Sequence, residues 1–397
     1  MCWPATASNA MAQQRQPSPH PAGVAPAGAI AITADDFRFL GYSSNPKRYF
    51  DGRPRPFRFI QSPPALTEYT DAVYVPSTRT WKPFDGCLYD AAGQRIEASV
   101  IHRNHDDLAL TSEPDTYAGR AADLPRHDGA ALYLGYFNWH YGHFLLETLS
   151  YWWALVEQHP DVDRYLIHLP DKAVLDKPYV QACLAAVGID RAQLLHFDAP
   201  ARLRRVIVPN ASFQLNSHVY SSYRALMNRL AAGLGAGDVS PTDQPLYISR
   251  RLLDKGNSLY KGEQQLEEYL AARGVSIVHP QQLPFREQVH LFNRHKTILG
   301  IIGSGMHNIV LSLEPKRMVY LTPDVYKPNA FLVDRCFEAD STYIQACRAA
   351  DNVSFLGVRV RRLLTGKLGR NEDGFRTNHN LDHEQIARHL AALGVVS

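Results

Sequence analysis

The sequence predicts an α/β protein built from two Rossmann-like domains that face each other across a cleft. Three observations predict it: short apolar runs alternate with helix-length segments, a Gly/Pro/Asp-rich stretch at 235–245 divides this alternation, and glycine-containing turns follow two of the apolar runs. Strands and helices that alternate at this spacing form βαβ units and parallel sheets. The chain of 397 residues is long enough for two ordinary domains.

The composition indicates a globular protein, with 45% hydrophobic and 20% charged residues. A net charge of +3 without a long Lys/Arg run argues against a nucleic-acid-binding protein. The five cysteines are odd in number and lack a C-x-x-C pair, which argues against a disulfide framework or a structural zinc site and favours a reducing compartment. The sequence contains no run of 18 apolar residues, so no membrane-spanning helix is predicted.

Residues 1–30 are rich in Ala, Pro, Gln and Ser and are expected to form a disordered leader without a secretory signal, with the start at Met1 or Met11. The N-terminal domain is expected over 31–235. The sequence of its first part, 37–128, predicts an irregular region that contains strands and whose topology is not assigned. Strands are predicted there at Pro56–Ile60, Ala72–Val75 and Ile96–His102.

The rest of the N-terminal domain predicts regular alternation. Strands are predicted at Ala131–Gly135, Tyr165–Leu169 and Val206–Val208, and helices at His143–Glu157, Ala173–Val187 and Val219–Leu234. Trp152 and Trp153 lie in the first helix, where their apolar flanks favour core packing over contact with a membrane.

After the linker, the alternation predicts a doubly wound, nucleotide-binding type of domain over 236–370. Strands are predicted at Leu246–Ser249, Val275–Val278, Thr297–Ile302 and Met318–Leu321, and helices at Glu263–Arg273, Phe285–Asn293 and Gly305–Leu313. The last segment, 371–397, contains a predicted helix at Asp382–Leu393 that is expected to pack back onto the first domain.

The segment from Gly135 to Glu147 joins a predicted strand to a predicted helix. His143 and Glu147 are four residues apart, so a helix places them on one face. A carboxylate beside an imidazole raises its basicity and fixes its tautomer, which suits a general base. The alternative is a structural pair in which His143 caps the helix. The apolar neighbours of Glu147 favour the functional interpretation, because burying a carboxylate is costly.

A second segment, Gly303-Ser304-Gly305, joins an apolar strand to a helix whose first turn carries His307 and Asn308. Glycines allow the backbone to approach a ligand, and free N–H groups at a helix start bind phosphate. The segment is neither a dinucleotide fingerprint nor a P-loop. A purely structural turn is the alternative.

Arg250 and Arg251 end the first strand of the second domain. An arginine at this position points into the cleft and can neutralise a diphosphate. Solvated surface charge is the alternative interpretation.

Five segments, in this order, resemble glycosyltransferase family 61, the DUF563-type proteins, over roughly Gly135 to Leu321. They are Gly142–Glu147, Tyr247–Arg251, Glu263–Leu266, Leu283–Phe292 and Gly303–Asn308. The chain departs from the family at Ile302, where many members have His, and at Gly262, where Asn is frequent. The position of His307, after the loop, is similar to the pattern in bacterial members of the family that act in capsular and exopolysaccharide biosynthesis.

The resemblance implies a GT-B-type architecture, inversion at the anomeric carbon, and a nucleotide-sugar co-substrate without a metal or other cofactor. It assigns His143 and Glu147 to catalysis on the acceptor side. It assigns to the donor side Arg250, Arg251, Glu287, Gly303, Ser304, Gly305, His307 and Asn308.

The expected enzyme is a hexosyl- or pentosyltransferase of capsule, exopolysaccharide or lipopolysaccharide assembly, acting on an oligosaccharide or a lipid-linked glycan. The expected location is cytoplasmic, with peripheral association at the inner face of the membrane left open. Two alternatives remain: an enzyme similar to polysaccharide pyruvyl transferases, and a non-catalytic partner in glycan assembly, which the residue at Ile302 keeps open.

Overall fold

The structure is a computed structural model that describes residues 28–53, 55–81, 83–103, 108–254, 256–323, 328–347 and 375–396. Most of the predicted leader and residues 348–374 lie outside these ranges. Within them, the chain is an α/β protein with several parallel sheets. The predicted domain boundaries stay predictions.

Twenty strands and nine helices are assigned within the described residues. The strands are β1 (Ala29–Ile32), β2 (Arg38–Leu40), β3 (Phe57–Ile60), β4 (Leu66–Val75), β5 (Cys87–Tyr89), β6 (His102–Arg103), β7 (Leu108–Ala109), β8 (Arg126–Tyr136), β9 (Arg164–His168), β10 (Leu194–Leu195), β11 (Ala201–Pro209), β12 (Phe213–Gln214), β13 (His218–Tyr220), β14 (Leu246–Ile248), β15 (Gly256–Lys261), β16 (Ser276–Val278), β17 (Thr297–Ile301), β18 (Arg317–Thr322), β19 (Asp340–Gln345) and β20 (Phe375–Asn380). The helices are α1 (Lys47–Asp51), α2 (Tyr141–His143), α3 (Trp153–Glu157), α4 (Pro178–Ala186), α5 (Ser221–Gly233), α6 (Glu263–Ala271), α7 (Phe285–Arg294), α8 (Pro328–Cys336) and α9 (His383–Ala392).

One six-stranded sheet lies in the C-terminal half and has the order β16-β14-β17-β18-β19-β2, with every pair parallel. Its first five strands follow the 2-1-3-4-5 order of doubly wound proteins, so the strand order reverses between β14 and β17. The four predicted strands of this half are confirmed. The edge strand β2 comes from the N-terminal region, which the sequence did not predict.

The other six-stranded sheet has the order β10-β9-β8-β11-β4-β5. The strands β10, β9, β8 and β11 run parallel, while β4 and β5 continue the sheet in antiparallel fashion. Its strand order reverses between β8 and β11. Each large sheet therefore has a switch point at which α/β proteins commonly bind ligands beyond the carboxyl ends of the strands.

A hydrophobic core extends through both halves and includes Trp152, Leu230 and Met306. Trp152 and Trp153 are buried, which confirms the prediction of core packing and is inconsistent with membrane contact at these residues. No helix in the described ranges combines the length and the apolar character needed to cross a membrane. The four cysteines in these ranges are buried and free of disulfide bonds.

The predicted strand Ile96–His102 was wrong. A 3-10 turn occupies Glu97–Ser99, and only His102 begins a short strand. The Ser99 hydroxyl donates to the carbonyl of Ile96 and accepts the N–H of Leu88 in β5. A side chain therefore takes the place of a backbone partner from a neighbouring strand. Such local side-chain bonds compete with extended pairing.

Several predicted helices differ in detail, and the segment predicted as Ala173–Val187 is a 3-10 helix at Lys172–Asp176 followed by α4. The segment predicted as Val219–Leu234 starts as strand β13, and Ser304–Leu311 is a 3-10 helix. Helix α9 packs against the C-terminal sheet, where Ile386 and Leu390 share an apolar cluster with Leu299 of β17. Its Gln385 side chain also donates to the carbonyl of Gly41 at 3.3 Å, and the predicted packing onto the first domain stays a prediction.

Candidate active site

The first candidate segment begins where β8 ends. Helix α2 passes into a π-helical turn at Phe144–Thr148, so the predicted continuous helix His143–Glu157 is broken. The Thr148 hydroxyl donates to the carbonyl of Tyr136 and accepts the N–H of Asn138, which ties the turn to the strand end. Single π-helical turns occur often at functional sites.

His143 and Glu147 meet in this turn, as their spacing predicts. The His143 Nδ1 lies 2.7 Å from Oε2 of Glu147. The Glu147 side chain is 8% exposed and that of His143 is 23% exposed. The carboxylate is therefore shielded while the imidazole remains accessible to a small group from solvent.

A third residue, Arg103, completes this cluster and was not predicted. Its Nε and Nη2 donate to the two carboxylate oxygens of Glu147 at 2.6 and 2.7 Å. Burial by itself would raise the pKa of Glu147, but the hydrogen bonds from His143 and Arg103 and the arginine charge outweigh it, so that pKa lies below its ordinary value. Glu147 is thus held ionised.

An ionised Glu147 accepts a hydrogen bond from the Nδ1–H of His143 and so favours the tautomer with a lone pair on Nε2. The ring of His140 lies beside it, with centroids 5.1 Å apart. Burial, followed by the charge of His143, lowers the pKa of His140 below its ordinary value. The lowered pKa favours the neutral form of the His140 imidazole.

The second candidate segment and Arg250 lie at the switch point of the C-terminal sheet. Arg250 follows β14 and Gly303 follows β17, and the Arg250 Nη1 donates to the carbonyl of Ile302 at 3.0 Å. A Cβ on Gly303 would overlap this guanidinium, so a larger residue here would require the Arg250 side chain to shift. The Arg250 Nε is buried and has no hydrogen-bond partner among the described residues.

Two glutamates of α6 hold the end of β14. The Glu263 Oε1 accepts the N–H of Arg250 at 2.8 Å and the hydroxyl of Tyr247 at 2.9 Å. Burial raises the pKa of Glu263. The Arg251 Nε donates to Glu267 at 2.8 Å. Arg251 is therefore engaged on the other side of the strand end, whereas Arg250 faces the glycine loop, and the predicted donor role of Arg251 has no support from its contacts.

The two candidate segments contact each other directly. A Cβ on Gly142 would lie 2.8 Å from Oγ of Ser304 and 3.3 Å from Nδ1 of His307. The turn that carries His143 therefore packs on the loop that follows β17. Because residues from both sheet ends meet here, the structure places the predicted general base beside the predicted phosphate loop.

Two residues assigned to the donor side have other positions. Asn308 is fully buried, accepts the hydroxyl of Tyr141 and donates to Gln288 at 3.0 Å. Its amide thus bridges the two halves and is not free for a ligand. Glu287 is exposed on α7, in a groove with Val278 and Leu283, without a described contact to the glycine loop.

The two departures from the family pattern have simple structural settings. Ile302 is buried, 4% exposed, and contributes its carbonyl to Arg250. Gly262 caps α6 with φ of 91°, in the left-handed region. Asn and Gly are the residues that adopt this region most readily, so the exchange of one for the other preserves the cap.

Fold and site together describe an α/β protein whose polar groups converge at the carboxyl ends of parallel strands in two sheets. Residues 141–319 match the family model described as Glycosyltransferase 61, in agreement with the motifs. The match supports a transferase of the glycosyltransferase type, which takes a donor sugar and a glycan acceptor. Arg103 lies outside the matched residues. No curated protein matches the chain.

Proposed function

We propose that the protein is an inverting glycosyltransferase of GT-B-type arrangement that moves a sugar from a nucleotide-sugar donor to a glycan acceptor in surface polysaccharide biosynthesis. The observation that carries this proposal is the contact between Gly142 and the Ser304 loop. This contact brings the imidazole of His143 and the ionised carboxylate of Glu147 next to the Gly303–Gly305 loop and Arg250, which are suited to binding a diphosphate.

The donor side is supported by charge and by backbone geometry. Arg250 is held by its backbone to Glu263 and by one guanidinium nitrogen to Ile302. Its buried Nε remains as a donor, and free N–H groups of the turn after Gly303 add partial positive charge. This combination stabilises negative charge on a departing nucleoside diphosphate. Ser304 and His307 of this turn lie beside Gly142, and Gly305 lies beside Ile248.

In the proposed reaction, Nε2 of His143 takes the proton of an acceptor hydroxyl, while Glu147 stabilises the resulting imidazolium. The acceptor oxygen forms a bond to the anomeric carbon as the bond from that carbon to the phosphate oxygen breaks. The nucleoside diphosphate leaves with the electron pair beside Arg250, and His143 then releases its proton to solvent. Direct displacement of this kind inverts the anomeric centre.

The test is calorimetric titration of the purified chain with UDP, GDP, CMP and dTDP. One nucleotide is expected to bind, and Arg250→Ala is expected to weaken it about 10–100-fold, because a charged hydrogen-bond donor to a phosphate typically contributes about 1.5–3 kcal/mol. Arg251→Ala is the matched control, since that arginine is engaged by Glu267. The nucleotide affinity of Arg251→Ala is expected to remain close to that of the unaltered chain.

Equal losses in the two variants would contradict the proposed phosphate contact. Failure of all four nucleotides to bind a folded chain would contradict the proposed donor and favour a pyruvyl transferase-like or non-catalytic role. Circular dichroism of each variant shows whether it is folded.

A further inference from the structure

Large hydrophobic side chains are exposed at only three positions among the described residues: Trp81, Trp139 and Leu252. Trp139 is 46% exposed and lies in the loop between β8 and α2. Its ring is 6.0 Å from that of His140, which in turn is 5.1 Å from the ring of His143. The His140 ring therefore lies between an exposed indole and the imidazole proposed as general base.

The exposure of Trp139 does not result from a loosely held loop. The N–H of Asn138 bonds to Thr148 and the N–H of His140 bonds to the Asn138 side chain, each at 3.0 Å. The hydroxyl of Tyr179 donates to the carbonyl of Trp139 at 2.8 Å. The backbone on both sides of the indole is thus fixed. A ligand that stacks on the indole therefore loses little binding free energy to ordering of the loop.

We propose that Trp139 is the stacking platform for a sugar ring of the acceptor glycan, which rests on the proposed glycosyltransferase function. One face of a pyranose presents C–H groups that pack against an indole, while its edge hydroxyls require polar neighbours. The next residue along the loop, His140, is polar and half-buried. A sugar seated there directs its adjoining hydroxyl toward His143.

A membrane surface fits this site less well than a glycan. Peripheral membrane binding requires a contiguous apolar face, commonly several large side chains on one helix. Trp139 instead stands alone in its loop beside imidazoles, and Trp81 and Leu252 belong to other segments of the chain. A lone indole with polar neighbours matches an amphipathic ring.

The experiment compares Trp139→Ala with Trp81→Ala, a matched control in which an indole that is 51% exposed is removed from another loop. Asp85 accepts the N–H groups of Thr78 and Arg79 in that loop, both at 2.8 Å. The unaltered chain is screened on an array of defined oligosaccharides, and the best-bound glycan is then titrated into each variant. UDP, GDP, CMP and dTDP are titrated in parallel, and phosphatidylglycerol vesicles are used in a sedimentation assay.

Trp139→Ala is expected to weaken glycan binding about tenfold or more, the order expected for loss of an aromatic contact. Trp81→Ala should leave glycan affinity within about twofold, and nucleotide affinity should be unchanged in both. Equal glycan affinity in Trp139→Ala and the unaltered chain overturns the proposal, as does equal loss in both variants. Vesicle binding that depends on Trp139, or the absence of any glycan ligand for a chain that binds nucleotide, also overturns it.

The nucleotide titration separates this inference from the proposed function. If a nucleotide binds and the glycan arm fails, only the platform is wrong. If no nucleotide binds, the proposed donor chemistry is wrong whatever the glycan arm shows.

Discussion

Replacing Arg103 with methionine removes the guanidinium that holds Glu147 but retains a long side chain. The two side chains are 11% and 8% exposed, and the shorter of their bonds is 2.6 Å. Leaving a buried charge without its partner typically costs about 3–5 kcal/mol. We expect Arg103→Met to lower the free energy of unfolding by about 3 kcal/mol at pH 7, the low end of that range, because His143 still donates to Glu147.

The effect depends on pH with a defined sign. Burial acts to raise the pKa of Glu147, but the bonds from His143 and Arg103 outweigh it and the folded-state pKa is lowered. The stabilisation is therefore fully present above the unfolded pKa of about 4.3 and is lost as the pH falls through the folded value. Without Arg103, less opposes the effect of burial, so the folded-state pKa of Glu147 is higher in the variant than in the unaltered chain. The variant therefore loses less stability than the unaltered chain as the pH falls.

The assay is urea unfolding followed by circular dichroism, from pH 4 to pH 8. It uses the unaltered chain, Arg103→Met, Glu147→Gln and the double variant. The loss of unfolding free energy caused by Arg103→Met should shrink toward acid pH. At pH 7 this loss should be at least about 2 kcal/mol larger in the unaltered background than in the Glu147→Gln background. A cost that is the same in the Glu147→Gln background, or the same at both ends of the pH range, refutes this reasoning.

Three further outcomes are expected. His143→Ala should abolish turnover but leave nucleotide affinity in calorimetry within about twofold, and retained activity would remove the imidazole from the mechanism. Gly142→Ala puts a methyl group 2.8 Å from Ser304 Oγ and should cost about 1–3 kcal/mol in thermal unfolding, largely recovered by Ser304→Gly; an unchanged Tm would contradict this contact. Burial raises the pKa of Asp334 to about 6, so its contribution to stability is full below the unfolded pKa and is lost as pH rises through the folded value. Asp334→Asn should flatten that decline in urea titrations, and an unaltered slope would show that another group causes it.

Four strands of the C-terminal sheet, β14, β16, β17 and β18, could be predicted because each contains a short apolar run that is followed by a polar residue or glycine. The edge strand β2 could not be predicted, since its partner β19 lies some three hundred residues away along the chain and pairing at that separation leaves no local pattern. The break in the helix after His143 depends on hydroxyl bonds of Thr148 and Ser150, which periodicity does not show.

The same distinction applies to the site. The meeting of His143 and Glu147 follows from their spacing, and the position of Arg250 follows from its strand end. Arg103 comes from an irregular region, and only the folded chain brings it to Glu147. Arg251 shows the opposite case, because its charge is visible in the sequence whereas its use by Glu267 is not.

Strand β2 has a practical consequence for dividing this protein. It covers β19 at the edge of the C-terminal sheet, and Arg38 also bonds to Thr342 at 3.1 Å. A fragment that starts at the linker would leave the outer N–H and C=O groups of β19 unpaired, and open edges of this kind promote intermolecular strand pairing and aggregation. Chimeras that exchange the C-terminal half between related enzymes therefore need to carry residues 38–40 with it.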